Sequence, residues 1–172
     1  MKKSLSKAVL AMMIAVAPLA AGDYTFNSHS LFAIEGGMAD SEMESDAVGT
    51  VGLKIGAQTD SYRVFLSARH FLIDDVSHLN TYGGELQYMF NFSEPVNFFL
   101  GVNGGNADFK RSVGTSSESS LYYGADAGFN IHATELIDLE IGARYMELQE
   151  EALLDNKIVS AYASVIFKWK MD

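Results

Sequence analysis

The sequence predicts an all-β protein: an eight-stranded antiparallel up-and-down transmembrane β-barrel, preceded by a cleaved signal peptide. Three observations carry this. Apolar and polar residues alternate with period two in eight segments, which makes strands with two unlike faces. The charges in the polar phase of those segments cancel. The connections between the segments alternate short and long.

The chain opens with a targeting segment. Lys2, Lys3 and Lys7 form a basic n-region, Ala8 to Ala20 is an apolar stretch broken late by Pro18, and Ala20-Ala21-Gly22 offers small residues for cleavage. Residues 1–21 are the expected signal peptide and 22–172 the barrel. Removing the three signal lysines leaves nine basic residues against 22 acidic ones, a net charge of −13. That excludes nucleic acid as a partner. There are no cysteines, so an exported chain must draw its stability from something other than disulfides.

The strands follow in order. Residues 30–38 put Phe32, Ile34 and Met38 in one phase and Glu35 in the other. Residues 47–57 oppose Val51, Leu53 and Ile55 to Thr50 and Lys54. In 62–72, Tyr62, Val64, Leu66 and Leu72 oppose Arg63, Ser67 and Arg69; Phe65 and Phe71 interrupt the polar phase and His70 the apolar one. Residues 81–92 set Tyr82, Leu86, Tyr88, Phe90 and Phe92 against Thr81, Glu85, Gln87 and Asn91.

Residues 96–105 set Val96, Phe98, Leu100 and Val102 against Asn97 and Asn103. The cleanest alternation is 121–131, where Leu121, Tyr123, Ala125, Ala127, Phe129 and Ile131 face away from Tyr122, Gly124, Asp126, Gly128 and Asn130. Residues 137–146 oppose Ile137, Leu139, Ile141, Ala143 and Tyr145 to Asp138, Glu140 and Arg144. Residues 158–170 oppose Val159, Ala161, Ala163, Val165, Phe167 and Trp169 to Ser160, Tyr162, Ser164 and Lys168, with Ile166 as an exception. No segment carries the i, i+3, i+4 stripe of a helix.

The polar phase holds five acids, Glu35, Glu85, Asp126, Asp138 and Glu140, and five bases, Lys54, Arg63, Arg69, Arg144 and Lys168. A solvated face has no need of such neutrality. A closed interior does, because an unpaired buried charge costs several kcal/mol or more. The expected arrangement is therefore a structural ion network inside and an apolar band of about 25 Å outside. Aromatic residues gather at strand ends: Phe90, Phe92, Phe98, Phe129, Phe167 and Trp169 at one rim, and Phe71, Tyr82 and Tyr145 near the other. Rings favour the headgroup level, which makes these two girdles.

Three connections are short (58–61, 93–95 and 132–136) and four are longer (39–46, 73–80, 106–120 and 147–157). Outer-membrane barrels keep short turns in the periplasm and long loops outside the cell, which places both termini in the periplasm. The long connections hold twelve acids against Lys110, Arg111 and Lys157, so the cell-exposed face is expected to be acidic.

The signal peptide, the eight alternating strands, the neutral polar-phase set and the final strand Ser160–Trp169 resemble small eight-stranded outer-membrane barrels of the OmpA/OmpX type. The resemblance covers the whole mature chain and rests on pattern. It implies a monomer in the outer membrane, in contact with lipid and lipopolysaccharide, inserted by the barrel-assembly machinery. Members usually end on an aromatic residue; here Lys170-Met171-Asp172 follow Trp169, which moves that signal inward. No peptidoglycan-binding domain is expected after the barrel.

Eight strands enclose a space about wide enough to be filled by side chains, so a wide pore is not expected, and a narrow ion path is the rival reading. Some barrels of this size edit lipid A with a His-x-Ser pairing and a carboxylate. The nearest match is His132-Ala133-Thr134 beside Glu135, with Thr in place of Ser and in a periplasmic turn; His29, His70 and His78 are the other histidines. No catalytic, cofactor or metal site is expected. The run Asp40, Glu42, Glu44, Asp46 lacks the glycine and distal glutamate of a calcium loop. Residues 106–120, the longest connection, are the expected contact site for another molecule. The rival from another class is a soluble exported lipocalin-like carrier, with the same strands and the opposite faces inside.

Overall fold

Period-two alternation over 11 or more residues gives strands long enough to cross a bilayer when tilted, and the computed structural model shows eight of them. It describes residues 28–41, 47–72, 79–93, 95–110, 117–149 and 157–170. The strands are β1 (His29–Ser41), β2 (Val48–Gln58), β3 (Tyr62–Leu72), β4 (Leu79–Ser93), β5 (Val96–Lys110), β6 (Ser117–His132), β7 (Ile137–Leu148) and β8 (Lys157–Lys170). Each pairs antiparallel with its sequence neighbours, and β1 closes on β8 from His29↔Lys170 to Ser41↔Ile158. Closure leaves no sheet edge unpaired. The expected signal peptide and the acidic residues Glu42, Glu44 and Asp46 lie outside the described residues.

The strands run further than the alternation suggested. β5 and β6 remain paired from Asn106↔Leu121 up to Lys110↔Ser117, so most of the expected 106–120 loop is sheet, and only 111–116 separates the two strands. Small polar residues (Asn106, Ser119, Ser120) carry no hydropathic contrast, so the pleat continues there without a visible period.

The faces are unambiguous. Ile34, Leu53, Leu66, Leu86, Leu100, Val102, Ile141 and Val159 are exposed, whereas Glu35, Lys54, Arg63, Arg69, Glu85, Asp126, Asp138, Glu140 and Arg144 are buried. A lipocalin-like carrier needs the reverse, and this orientation removes that alternative.

The interior is layered. Nearest the long connections, Val48, Phe71, Leu79, Tyr122, Met146, Leu148 and Ile158 form one buried apolar cluster with Ala39 and Ala107. The middle holds the charges. Towards the short turns, Leu31, Ala33, Phe65 and Ile166 form a smaller apolar cluster beside polar groups.

Two glycines make room for inward rings. A Cβ on Gly142 would lie 2.7 Å from Tyr162 Cζ, and one on Gly128 2.7 Å from Phe99 Cζ. Both rings lie against bare backbone, and both are buried. Gly142→Val is therefore expected to lower stability by about 1–3 kcal/mol through overpacking, read by urea titration of the refolded barrel. An unchanged midpoint would show that Tyr162 does not depend on that space.

Candidate functional site: the barrel interior and its rims

Seven of the ten expected network charges meet in one cluster at mid-barrel. Glu35 on β1 is its hub. Its carboxylate accepts from Arg144 Nη1 and Nη2 at 2.8 and 3.0 Å and from Arg69 Nε at 2.8 Å, and it lies 2.7 Å from Lys54 Nζ. Glu85 on β4 contacts Arg69 and stands 3.6 Å from Lys54 and 3.7 Å from Arg144. Glu140 on β7 lies 3.3 Å from Lys54 and also contacts Arg63. Lys54 and Arg63 are fully buried, with no solvent exposure at all.

Rings and amides complete the cluster. Lys54 Nζ lies 4.7 Å from the Tyr162 ring centroid and the Arg144 guanidinium 4.2 Å from it, while Arg63 lies 5.3 Å from that of Phe99. Ring faces are electronegative, so they attract cations without adding net charge. Arg63 donates to Gln87 Oε1 (2.8 Å) and Asn130 Oδ1 (3.2 Å). Asp126 makes no ion pair within 4.0 Å among the described residues; it accepts from Gln87 Nε2 at 2.5 Å and Asn103 Nδ2 at 3.3 Å.

The remaining two charges form a second cluster towards the turns. Lys168 Nζ donates to Asp138 Oδ1 at 2.6 Å, and Asn130 Nδ2 donates to Oδ2 at 3.1 Å. His132 Nδ1 lies 2.8 Å from Asp138 Oδ1, and its Nε2 3.0 Å from Asn97 Nδ2. A proton on Nδ1 satisfies both contacts. The sequence reading missed Gln87, Asn97, Asn103, Asn130 and Tyr162 as members. All stood in the polar phase, and counting charges alone left them out.

Outside, Phe90, Phe92, Phe98, Phe129, Phe167 and Trp169 ring the turn end, and Tyr82 and Tyr145 sit at the loop end with exposed rings. Tyr62 and Tyr88 join the turn-end set at a centroid distance of 5.1 Å, and contacts run on from Tyr88 to Phe90 (4.7 Å), Phe98 (5.8 Å) and Phe129 (5.6 Å). Phe71 is the correction. Its place in the polar phase turns it inward, where it is 2 % exposed within the apolar cluster at the loop end.

Two of the four histidines, His70 and His132, contact residues on neighbouring strands. His70 Nδ1 lies 2.8 Å from Asn80 Oδ1 on the neighbouring strand. His132 is held by Asp138 and Asn97, and Thr134 Oγ1 accepts from the amide of Leu136 at 3.2 Å instead of facing a histidine. Among the described residues no group of three or more His, Asp or Glu is placed to hold a metal ion.

No protein-family model and no curated protein sequence matches the chain. Solved structures do. Neisserial surface protein A superposes with a TM-score of 0.68 at 18% identity, over 83% of this chain and 97% of that one. The N-terminal β-barrel domain of Pseudomonas aeruginosa OprF gives 0.61 at 18% identity, over 83% and 98%. The outer membrane enzyme PagL gives 0.51 at 12% identity, over 80% and 98%. The shared feature is the fold of small eight-stranded outer-membrane barrels.

The hub makes a quantitative expectation. Glu35→Ala leaves three cations facing one another and should cost about 3–5 kcal/mol. Asp126→Asn removes a charge held only by amides and should cost about 1 kcal/mol. Denaturant unfolding of the two variants measures both, and equal losses would mean that Glu35 is not the hub.

Proposed function

We propose that the chain is an integral outer-membrane barrel with a structural and surface-interaction role and no enzymatic activity. The observation that carries this reading is the pairing of a neutral ten-charge set, nine of it buried and Lys168 at the inner edge, with an exposed apolar wall. Water cannot be the solvent of that wall over its whole circumference; hydrocarbon can. The turn-end aromatic ring then lies at the periplasmic headgroup level and Tyr82 and Tyr145 at the outer one. The short turns and both termini face the periplasm, and the long acidic loops face outward among lipopolysaccharide. The barrel works as a monomer, and the assembly machinery recognises its last strand through Phe167 and Trp169.

Two barriers support a sealed interior: the apolar cluster around Phe71, Leu148 and Ile158, and the fully buried Lys54–Glu140–Arg63 layer beneath it. An ion crossing the first would lose its hydration with nothing to replace it. The absence of catalysis is supported by the contacts of His132 with Asp138, Asn97 and Lys168 and by the interstrand role of His70, although PagL shows that the fold can host an enzyme.

Membrane fractionation with unboiled and boiled gel lanes tests the placement. The expected result is an outer-membrane band whose mobility changes on boiling, and a soluble band without a shift would refute it. In planar bilayers the protein should give no unit conductance at 1 M salt, a level chosen only to make about the smallest pores visible. Lipid A mass spectra should be the same with the wild type, His70→Ala and His132→Ala; a missing acyl chain seen only with the wild type would assign an activity.

A further inference from the structure

The turn end of the barrel carries an open recess. A cavity of about 530 Å³ opens there, within the range of small-ligand sites. It is blind: Arg63, Gln87, Asn130, Asp138 and Glu140 above it have no solvent exposure. A space that leads nowhere is a pocket and not a pore mouth.

Its lining mixes polar, charged and aromatic groups. Gln58, Asn91, Asn97 and His132 are planar polar groups, Asp60 is an exposed carboxylate, and Phe92, 76 % exposed, supplies a ring at the rim. Lys168 also reaches the cavity, but Asp138 at 2.6 Å neutralises it, and its side chain is only 13 % exposed. The cavity therefore offers hydrogen-bonding groups and one carboxylate, Asp60, that has no ion pair among the described residues. Gln58 Oε1 is buried and has no hydrogen-bond partner among the described residues. An acceptor in that state is unfavourable until a donor arrives.

An inorganic anion would use the donors and leave the acceptors idle. A hydroxyl donates and accepts at once, and a pyranose face stacks on an aromatic ring. We infer that the turn-end pocket is a binding site for a short neutral saccharide. The site rests on its lining alone; that the saccharide comes from the periplasmic side rests on the orientation proposed above.

The test is an NMR titration of the full mature chain in phosphocholine micelles, whose headgroup carries no sugar. The probes are N,N′-diacetylchitobiose and cellobiose, with inorganic phosphate as the ionic control. Saturable shifts of the Gln58, Asn91 and Asn97 side-chain amides with a disaccharide are expected, and none with phosphate. Gln58→Leu and Asn91→Leu should each weaken binding about tenfold, the scale of one lost hydrogen bond. No saturable shift with either disaccharide, saturation by phosphate alone, or unaltered affinity in both variants would overturn the inference. The boiling-dependent gel shift is read on the same samples: if it persists while the titration fails, the pocket is wrong and the barrel reading stands.

Discussion

Glu35 receives Lys54, Arg69 and Arg144 from three different strands, and the layout of the interior follows from what that requires. Each ion removed from water costs several kcal/mol, and only close opposite charges with further hydrogen bonds recover it. One carboxylate cannot neutralise three cations, so Glu85 and Glu140 stand across the barrel to share them. Rings of Tyr162, Phe65 and Phe99 cover the cation faces that remain. The network also fixes pairing. A strand shifted by one residue would turn its charges to the outer wall and its apolar side chains into the ion cluster.

The two ends of the barrel differ in their packing. The loop end is closed by an apolar cluster drawn from all eight strands. The turn end is polar and open to about 530 Å³ of space, bounded by the Asp138–Lys168–His132 group. Among the described residues the interior is thus a column of buried side chains with a recess at its turn end. PagL shares the fold, so the architecture itself says nothing for or against chemistry. Locally, Asp138 Oδ1 lies 2.8 Å from His132 Nδ1, and Asn97 Nδ2 lies 3.0 Å from its Nε2.

Much of this was legible beforehand. All ten polar-phase charges do lie inside or at the inner edge of the barrel, and the eight strands stand close to where alternation put them. The errors share a cause. Phe71 was placed in a girdle because it is aromatic and close to a strand end, against its own phase; its phase was the better guide. Val48, Leu79, Met146, Leu148 and Ile158 likewise stood in the inward phase, and all lie towards the loop ends of their strands, so the apolar closure was written there unread. Residues 106–110 and 117–120 looked like loop because small polar side chains erase the contrast that reveals a pleat.

The sequence by itself determined strand number, the two faces and the neutrality of the polar one, because side-chain direction alternates strictly along a strand. Alternation alone could not say which face was inside; charge neutrality pointed to the polar one, and the tertiary structure decided it, since inside exists only once β1 meets β8. Nor could it give the partners. Glu35 and Arg144 are 109 residues apart, and the stagger of a closed sheet sets their 2.8 Å contact. The turn-end recess belongs to the same class of fact. It is a volume enclosed by residues from 29 to 168, and no stretch of chain contains it.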